Sequence, residues 1–257
     1  MASRIYFHCP RETVAARPDI MEARSLDVTG VRNTDLSFLR ANQSLRILHL
    51  SEAHSLRGIE TLSQIRELVL IHIPKVRTLQ PLGALRSLQF LTISTVPSWD
   101  ASRKCIEVES FAPLRHLKDL VSLTLTGVLP LHGGLRPLHE LTGLRALQIS
   151  HVFAFALEDY AMLAAHLTKT AGPCLQPCYA IGFELPCRRC GKQMVFLTGP
   201  LPRARQQLCV DCDRARLRQH IDAWNAVSGR DFPYPESAED VGLPPALHYT
   251  EAEPAPS

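Results

Sequence analysis

Two spacings of aliphatic residues alternate along the first 155 positions. The pattern L-x-x-L-x-L occurs six times, as ARSLDV (23–28), LRILHL (45–50), IRELVL (65–70), LQFLTI (88–93), LVSLTL (120–125) and LRALQI (144–149). The central leucines, Leu26, Leu48, Leu68, Leu91, Leu123 and Leu147, are separated by 22, 20, 23, 32 and 24 residues. The closing L-x-L of each copy has period two, which predicts a short strand with one buried face. A further aliphatic residue follows five positions later, at Val31, Ala53, Ile73, Val96, Val128 and Val152. On the return the apolar residues fall three apart, as in Leu56, Ile59, Leu62 and Val76, Leu79, Leu82, Leu85. That spacing suits short helical or 3-10 turns. No copy buries its leucines alone, so neighbouring copies must stack.

The six registered copies resemble the leucine-rich repeat family, in the short class of about 22 residues found in internalins. The resemblance covers residues 20–155 and implies an α/β solenoid: a parallel concave sheet with helical or 3-10 turns on the convex side. The chain departs from the family pattern after each strand. The position that usually holds Asn or Cys is Val, Ile or Ala here, so the turns must be satisfied in another way. Residues 1–19, with RIYFHC (4–9), are expected to form an N-terminal cap. Residues 156–185 are expected to hold a capping helix, with Leu157, Tyr160, Ala164 and Leu167 at helical spacing, and a linker.

The fourth repeat is too long by PSWDASRKCIEVE (97–109), which is expected to be a loop carrying Trp99 as a possible contact residue. The outward strand positions hold neither Lys nor Arg. They combine small hydroxyl residues with Ile47, Val69, Ile71 and Phe90. Such a face is a poor groove for phosphates and suits a protein. Ile47, His49, Glu67, Val69, Ile71, Phe90, Thr92 and Trp99 are the expected partner-binding residues. Arg24, Arg46 and Arg66 share one coil position, with Arg145 at the same place later. This column is read as a solvated flank, as the seat of a partner, or as neutralised by carboxylates such as Glu22 and Glu67.

Composition changes the picture only at the C-terminal end. The apolar share of 46% with 6% aromatics fits an aliphatic core, and a net charge of +3 indicates no partner. Charge is segregated, however. Residues 187–218 hold eight Lys or Arg against two Asp, and residues 229–257 hold one Arg against six acids and many prolines. The tail 229–257 is therefore expected to be extended or disordered. No signal-like or membrane-spanning apolar run is visible. With eight cysteines and no sign of export, metal is favoured over disulfides, in a soluble cytoplasmic protein. The excess of Arg over Lys suggests a bacterial origin.

The cysteines supply the candidate chemistry. CRRC (187–190) and CVDC (209–212) give C-x2-C-x18-C-x2-C. This resembles a zinc ribbon, and residues 186–228 are read as a ribbon followed by a helix on Leu217, Ile221, Trp224 and Val227, capped by Asp213 and ended by Gly229. Cys187, Cys190, Cys209 and Cys212 would hold one structural Zn²⁺ with no open position, so the metal would not activate water. A rubredoxin-like iron centre and reactive dithiols are the alternatives. Arg188, Arg189, Lys192 and Arg214 would offset the negative charge of four thiolates, or would bind nucleic acid weakly. Cys174 and Cys178 form a looser pair that could join His151, His166 or His220 in a second site. The ribbon, too small for a core of its own, is expected to unfold independently of the repeats. No catalytic motif is found. The CVD triplet resembles the Cys-x-Asp of bacterial leucine-rich-repeat ubiquitin ligases, but fewer than fifty residues follow it and Cys209 is wanted by the metal. The expected function is therefore non-enzymatic: a protein-binding module, toxin-neutralising (immunity) or adaptor in kind, with nucleic-acid binding by the ribbon as the alternative.

Overall fold

A computed structural model of the chain describes residues 4–8, 18–30, 35–94, 105–150, 154–180, 186–200 and 206–241. Seven strands form one parallel sheet: β1 (Arg4–His8), β2 (Ser25–Thr29), β3 (Ile47–Ser51), β4 (Glu67–Ile71), β5 (Phe90–Ser94), β7 (Ser122–Thr126) and β9 (Ala146–Ile149). The register is strict: Leu26, Leu48, Leu68, Leu91, Leu123 and Leu147 lie side by side. The returns carry 3-10 turns at Leu36–Ala41, Ile59–Thr61, Gln80–Ala84, Ala112–His116 and Arg136–Glu140. Leucines of strand and return are buried in one continuous core. Each is stabilised by about 1.5–3 kcal/mol on leaving water.

The turns close in two ways that their sequence does not announce. After four strands the chain takes one left-handed residue: Gly30 (φ 72°), Glu52 (φ 60°), His72 (φ 52°) and Gly127 (φ 67°). This bend carries the ladder one step past the strand, so that Glu52 N–H donates to Ile71 O (3.1 Å) and His72 N–H to Ser94 O (2.8 Å). Apolar Ala53, Ile73 and Val128 then turn into the core. In the first coil, buried Asn42 replaces a leucine. Its amide donates to Ile20 O (2.6 Å) and Ala23 O (2.8 Å) and accepts from the N–H groups of Ser44 and Leu45.

The expected loop 97–109 differs from expectation in its second half. β6 (Ile106–Ser110) pairs in parallel with β8 (Val128–His132) as a second small sheet. Ile106 and Val108 are buried, and Arg77 fixes the strand by accepting from Glu109 N–H (2.7 Å) and donating to Glu107 O (3.2 Å). Trp99 lies outside the described residues.

Past β9 the helix α2 (Leu157–His166) closes the solenoid, burying Tyr160, Ala161, Leu163 and Ala164. A three-stranded antiparallel sheet follows, of β10 (Cys178–Tyr179), β11 (Met194–Leu197) and β12 (Gln207–Cys209). The helix α3 (Arg214–Ser228) ends at Gly229, which is left-handed (φ 64°). Its buried face is Leu217, Ile221, Trp224 and Ser228. Val227, expected inside, is 38% exposed.

Two further expectations are corrected. The ribbon does have a core, formed by Cys178, Val195, Leu197, Leu208, Val210, Leu217 and Ile221. Part of the expected loose tail completes it: Ala238 and Val241 are buried, Tyr234 hydroxyl donates to Val210 O (2.5 Å), and Asn225 bonds Phe232 at both backbone atoms. Nor does α3 stand apart. Trp224 is fully buried within the solenoid's own cluster, and Arg230 donates to Ala164 O and Leu167 O at the end of α2.

Candidate metal centre and partner-binding face

The turn after Pro186 brings Cys187 and Cys190 together, and the turn after β12 does the same for Cys209 and Cys212. In each turn the first cysteine sulfur meets two backbone N–H groups: those of Arg189 and Cys190 at Cys187, and those of Asp211 and Cys212 at Cys209. The four sulfurs lie within 4.8 Å of one another, and Cys190 and Cys209 are 3.5 Å apart. Sulfurs placed tetrahedrally at about 2.3 Å from Zn²⁺ would be about 3.8 Å apart, so the cluster fits such an ion. Four thiolates cannot collect there without a cation. The two N–H groups pull Cys187 down to about 6, while the Cys190 sulfur pushes Cys212 up to about 12 and burial raises Cys209. Metal uptake would thus release protons.

Four basic residues of this module have acidic partners. Arg189 bonds Asp213 (2.5 Å), Lys192 bonds Asp211, Arg214 approaches Asp211 (3.6 Å) and Arg216 approaches Asp213 (4.0 Å). The first two pairs tie one cysteine turn to the other. Asp213 precedes α3 but makes no side-chain cap. It accepts instead from Cys209 N–H (3.0 Å), which holds its carboxyl below the usual range together with Arg189 and against the effect of burial. Arg214 and Arg218 also lie over the Tyr234 ring, at 5.6 and 4.8 Å. Among the described residues Arg188 makes no ion pair. These aspartates sit visibly beside Cys212 in the sequence, but their partners across the module do not.

Among the described residues Cys174 and Cys178 are not drawn into a second centre, and His151 lies outside those residues. Both cysteines are buried, and burial pushes each up to about 12. His220 bonds Pro177 O (3.0 Å), and His166 stacks on His139 with ring centres 4.2 Å apart. Among the described residues the one group able to hold a metal is the four-cysteine cluster. Burial raises the Cys105 thiol.

The sheet face sorts the expected partner-binding residues into rows. Ile47, Glu67 and Phe90 are adjacent in one row, and His49, Val69 and Thr92 in the next. Phe90 is 46% and Ile71 44% exposed, while the other five are half-buried. His49 joins carboxylates of two flanking strands, Asp27 (2.9 Å) and Glu67 (3.4 Å). Sequence spacing predicted the rows but not this three-residue link, which needs the register of β2, β3 and β4.

No known protein family and no curated protein matches the chain. Among solved structures, an internalin from Listeria monocytogenes matches 58% of this chain and 45% of its own, at 20% identity and TM-score 0.40. Internalin C2 from the same species matches 58% and 59%, at 21% identity and TM-score 0.41. A leucine-rich-repeat protein from Leptospira interrogans matches 59% and 36%, at 14% identity and TM-score 0.42. The match thus spans 36–59% of the length of these three chains. The chain's own register, one parallel sheet with 3-10 returns, makes it a leucine-rich-repeat solenoid with a C-terminal four-cysteine module.

Proposed function

We propose that the chain is a non-enzymatic protein-binding module that receives its partner on the concave sheet face. The observation that carries this reading is the exposure of Phe90 and Ile71 on neighbouring strands of a sheet whose other face is sealed by leucines. Large apolar side chains left in water between rows of hydroxyls mark contact sites more often than idle surface. Ile47, His49, Glu67, Val69 and Thr92 surround them, and Trp99 would extend the site. An immunity or adaptor role in a bacterial cytoplasm suits such a module. No described helix is long and apolar enough to cross a membrane.

The cysteine cluster would hold one structural Zn²⁺, whose chemistry is to fix four thiolates. The nucleic-acid alternative draws little support from the ribbon, because Arg189, Lys192, Arg214 and Arg216 already face Asp211 and Asp213.

The binding test is affinity capture from the native cell with wild-type, Phe90→Ala and Val69→Glu baits. The expected result is a protein retained by the wild type and lost from both variants at unchanged melting temperature. Capture that survives both changes, or variants that melt far below the wild type, would sink the reading. Elemental analysis should find about one zinc per chain.

A further inference from the structure

The arginines beside this face say what the partner is made of. Arg24, Arg46 and Arg66 lie where three successive coils enter the sheet. Arg24 O accepts from the N–H groups of Arg46 (2.9 Å) and Ile47 (3.1 Å), and Arg46 O accepts from those of Arg66 (2.9 Å) and Glu67 (3.0 Å). The three are therefore one strand spacing apart, about 4.8 Å. Gln89 takes the fourth place in the column without charge, and Phe90 follows it.

None of the three is neutralised. Arg24 and Arg66 are exposed and, among the described residues, make no ion pair, and Arg46 donates there to the carbonyls of Gln43 (2.8 Å) and Leu45 (2.9 Å) alone. Glu67, the carboxylate expected to serve them, faces His49 instead. Glu22 forms no ion pair with them either. Three cations in a row repel one another in the free protein. Carboxylates supplied by a partner turn that repulsion into attraction, and they steer the encounter as well.

Resting on the concave-face reading, we propose that the partner presents an acidic protein segment. Its carboxylates lie along Arg24, Arg46 and Arg66, and it places an apolar side chain against Phe90. Arginine and an exposed aromatic side by side are the residue types that dominate protein interfaces. A nucleic-acid strand fits less well. It carries a phosphate at every step, and Glu67 stands between Ile47 and Phe90 in the adjoining row. A polypeptide can set a neutral or basic residue opposite Glu67 and keep its acids for the arginines.

The test selects short random peptides displayed on phage against the full-length protein, then measures selected sequences as synthetic peptides. The expected winners carry an excess of Asp and Glu with one large apolar residue, and they bind more tightly at low than at physiological salt. Arg46→Ala with Arg66→Ala, and separately Phe90→Ala, should each weaken them about tenfold or more. Neither variant should shift the melting temperature. Winners that need Phe90 but show no acidic excess and ignore the arginine variant would overturn the acidic segment and leave the concave-face reading standing. Acidic winners that need the arginines but ignore Phe90→Ala and Val69→Glu would put binding on the rim alone and overturn both. Full displacement of a winner by a short single-stranded oligonucleotide at physiological salt would make this a phosphate site and overturn the proposal, as would a selection that enriches nothing.

Discussion

His72 holds φ at 52°, a conformation that costs an L-residue with a side chain about 1–2 kcal/mol. Gly30 and Gly127 occupy the same bend without that cost. His72→Gly should therefore raise stability, by up to about 1 kcal/mol after the added freedom of the unfolded chain is subtracted; chemical denaturation would show it. The opposite outcome is expected at Gly58 (φ 92°), where an added Cβ would lie 2.2 Å from Ser37 N and 2.4 Å from Asp35 Oδ1. These are groups of the first coil's turn, so Gly58→Ala should cost about 3 kcal/mol or more by forcing two coils apart. Asn42 belongs at this scale too. Spacing alone would put leucine there. The coil wants an amide because Ile20 O and Ala23 O, at the end of the short helix α1 (Pro18–Glu22) and just past it, both point to this position.

Among the elements, the strands and 3-10 returns were legible because one buried leucine column fixes both periods. The strand β6 was hidden by its setting, not by its letters: Ile106, Glu107, Val108 and Glu109 alternate, but inside a segment already assigned to a loop. The packed stretch 230–241 was illegible for a different reason. Its few apolar residues find Val210 across the ribbon and Asn225 on the preceding helix, and hydrophobic spacing carries no trace of that. Of the candidate site, the four cysteines could be read from spacing, whereas the Asp211 and Asp213 braces needed the fold. Asp213→Ala removes both the carboxylate that accepts from Cys209 N–H and an ion pair. It should lower the ribbon's stability by about 1–3 kcal/mol and weaken metal retention against a chelator. The return at Arg136–Glu140 and helix α2 meet at a cleft of about 330 Å³ where His139 and His166 stack. Burial first, then His166 and Arg136, lower His139 from 6.5, and Asp159 opposes them. A histidine with a depressed folded pKa contributes stability above 6.5 that is lost as pH falls from there toward the folded value. The melting temperature should thus drop on acidification below about pH 6.5, and drop less in His139→Gln. Comparing the two proteins cancels the loss from thiol protonation.

For the molecule as a whole, the ribbon is part of the solenoid's closure and not an appendage. Trp224 enters the leucine core, Arg230 caps α2, and Thr198 hydroxyl donates to Gln176 O (2.7 Å). Independent unfolding of the ribbon is therefore not expected. Chelation of the metal, or Cys190→Ser, should lower the melting of the repeats as well, in one transition. Trp224→Ala should do the same by about 3–5 kcal/mol. Far-UV dichroism with Trp fluorescence would check it: two separate transitions, with the repeats melting as before, would contradict the coupling.

The last strand of the large sheet also has a consequence for how such a chain can grow. Leu147 N–H donates to Ala171 O (2.9 Å), Ala171 N–H donates to Arg145 O (2.8 Å), and a Cβ on Gly172 would fall 2.0 Å from Leu147 O. The open rim of β9 is thereby occupied by the chain's own backbone, and no further strand can dock there. At this end the array cannot gain a coil beyond β9, so an added coil has to enter upstream of it. A copy added after Ile149 would compete with the segment that shuts the array, so the number of coils is set from the C-terminal side.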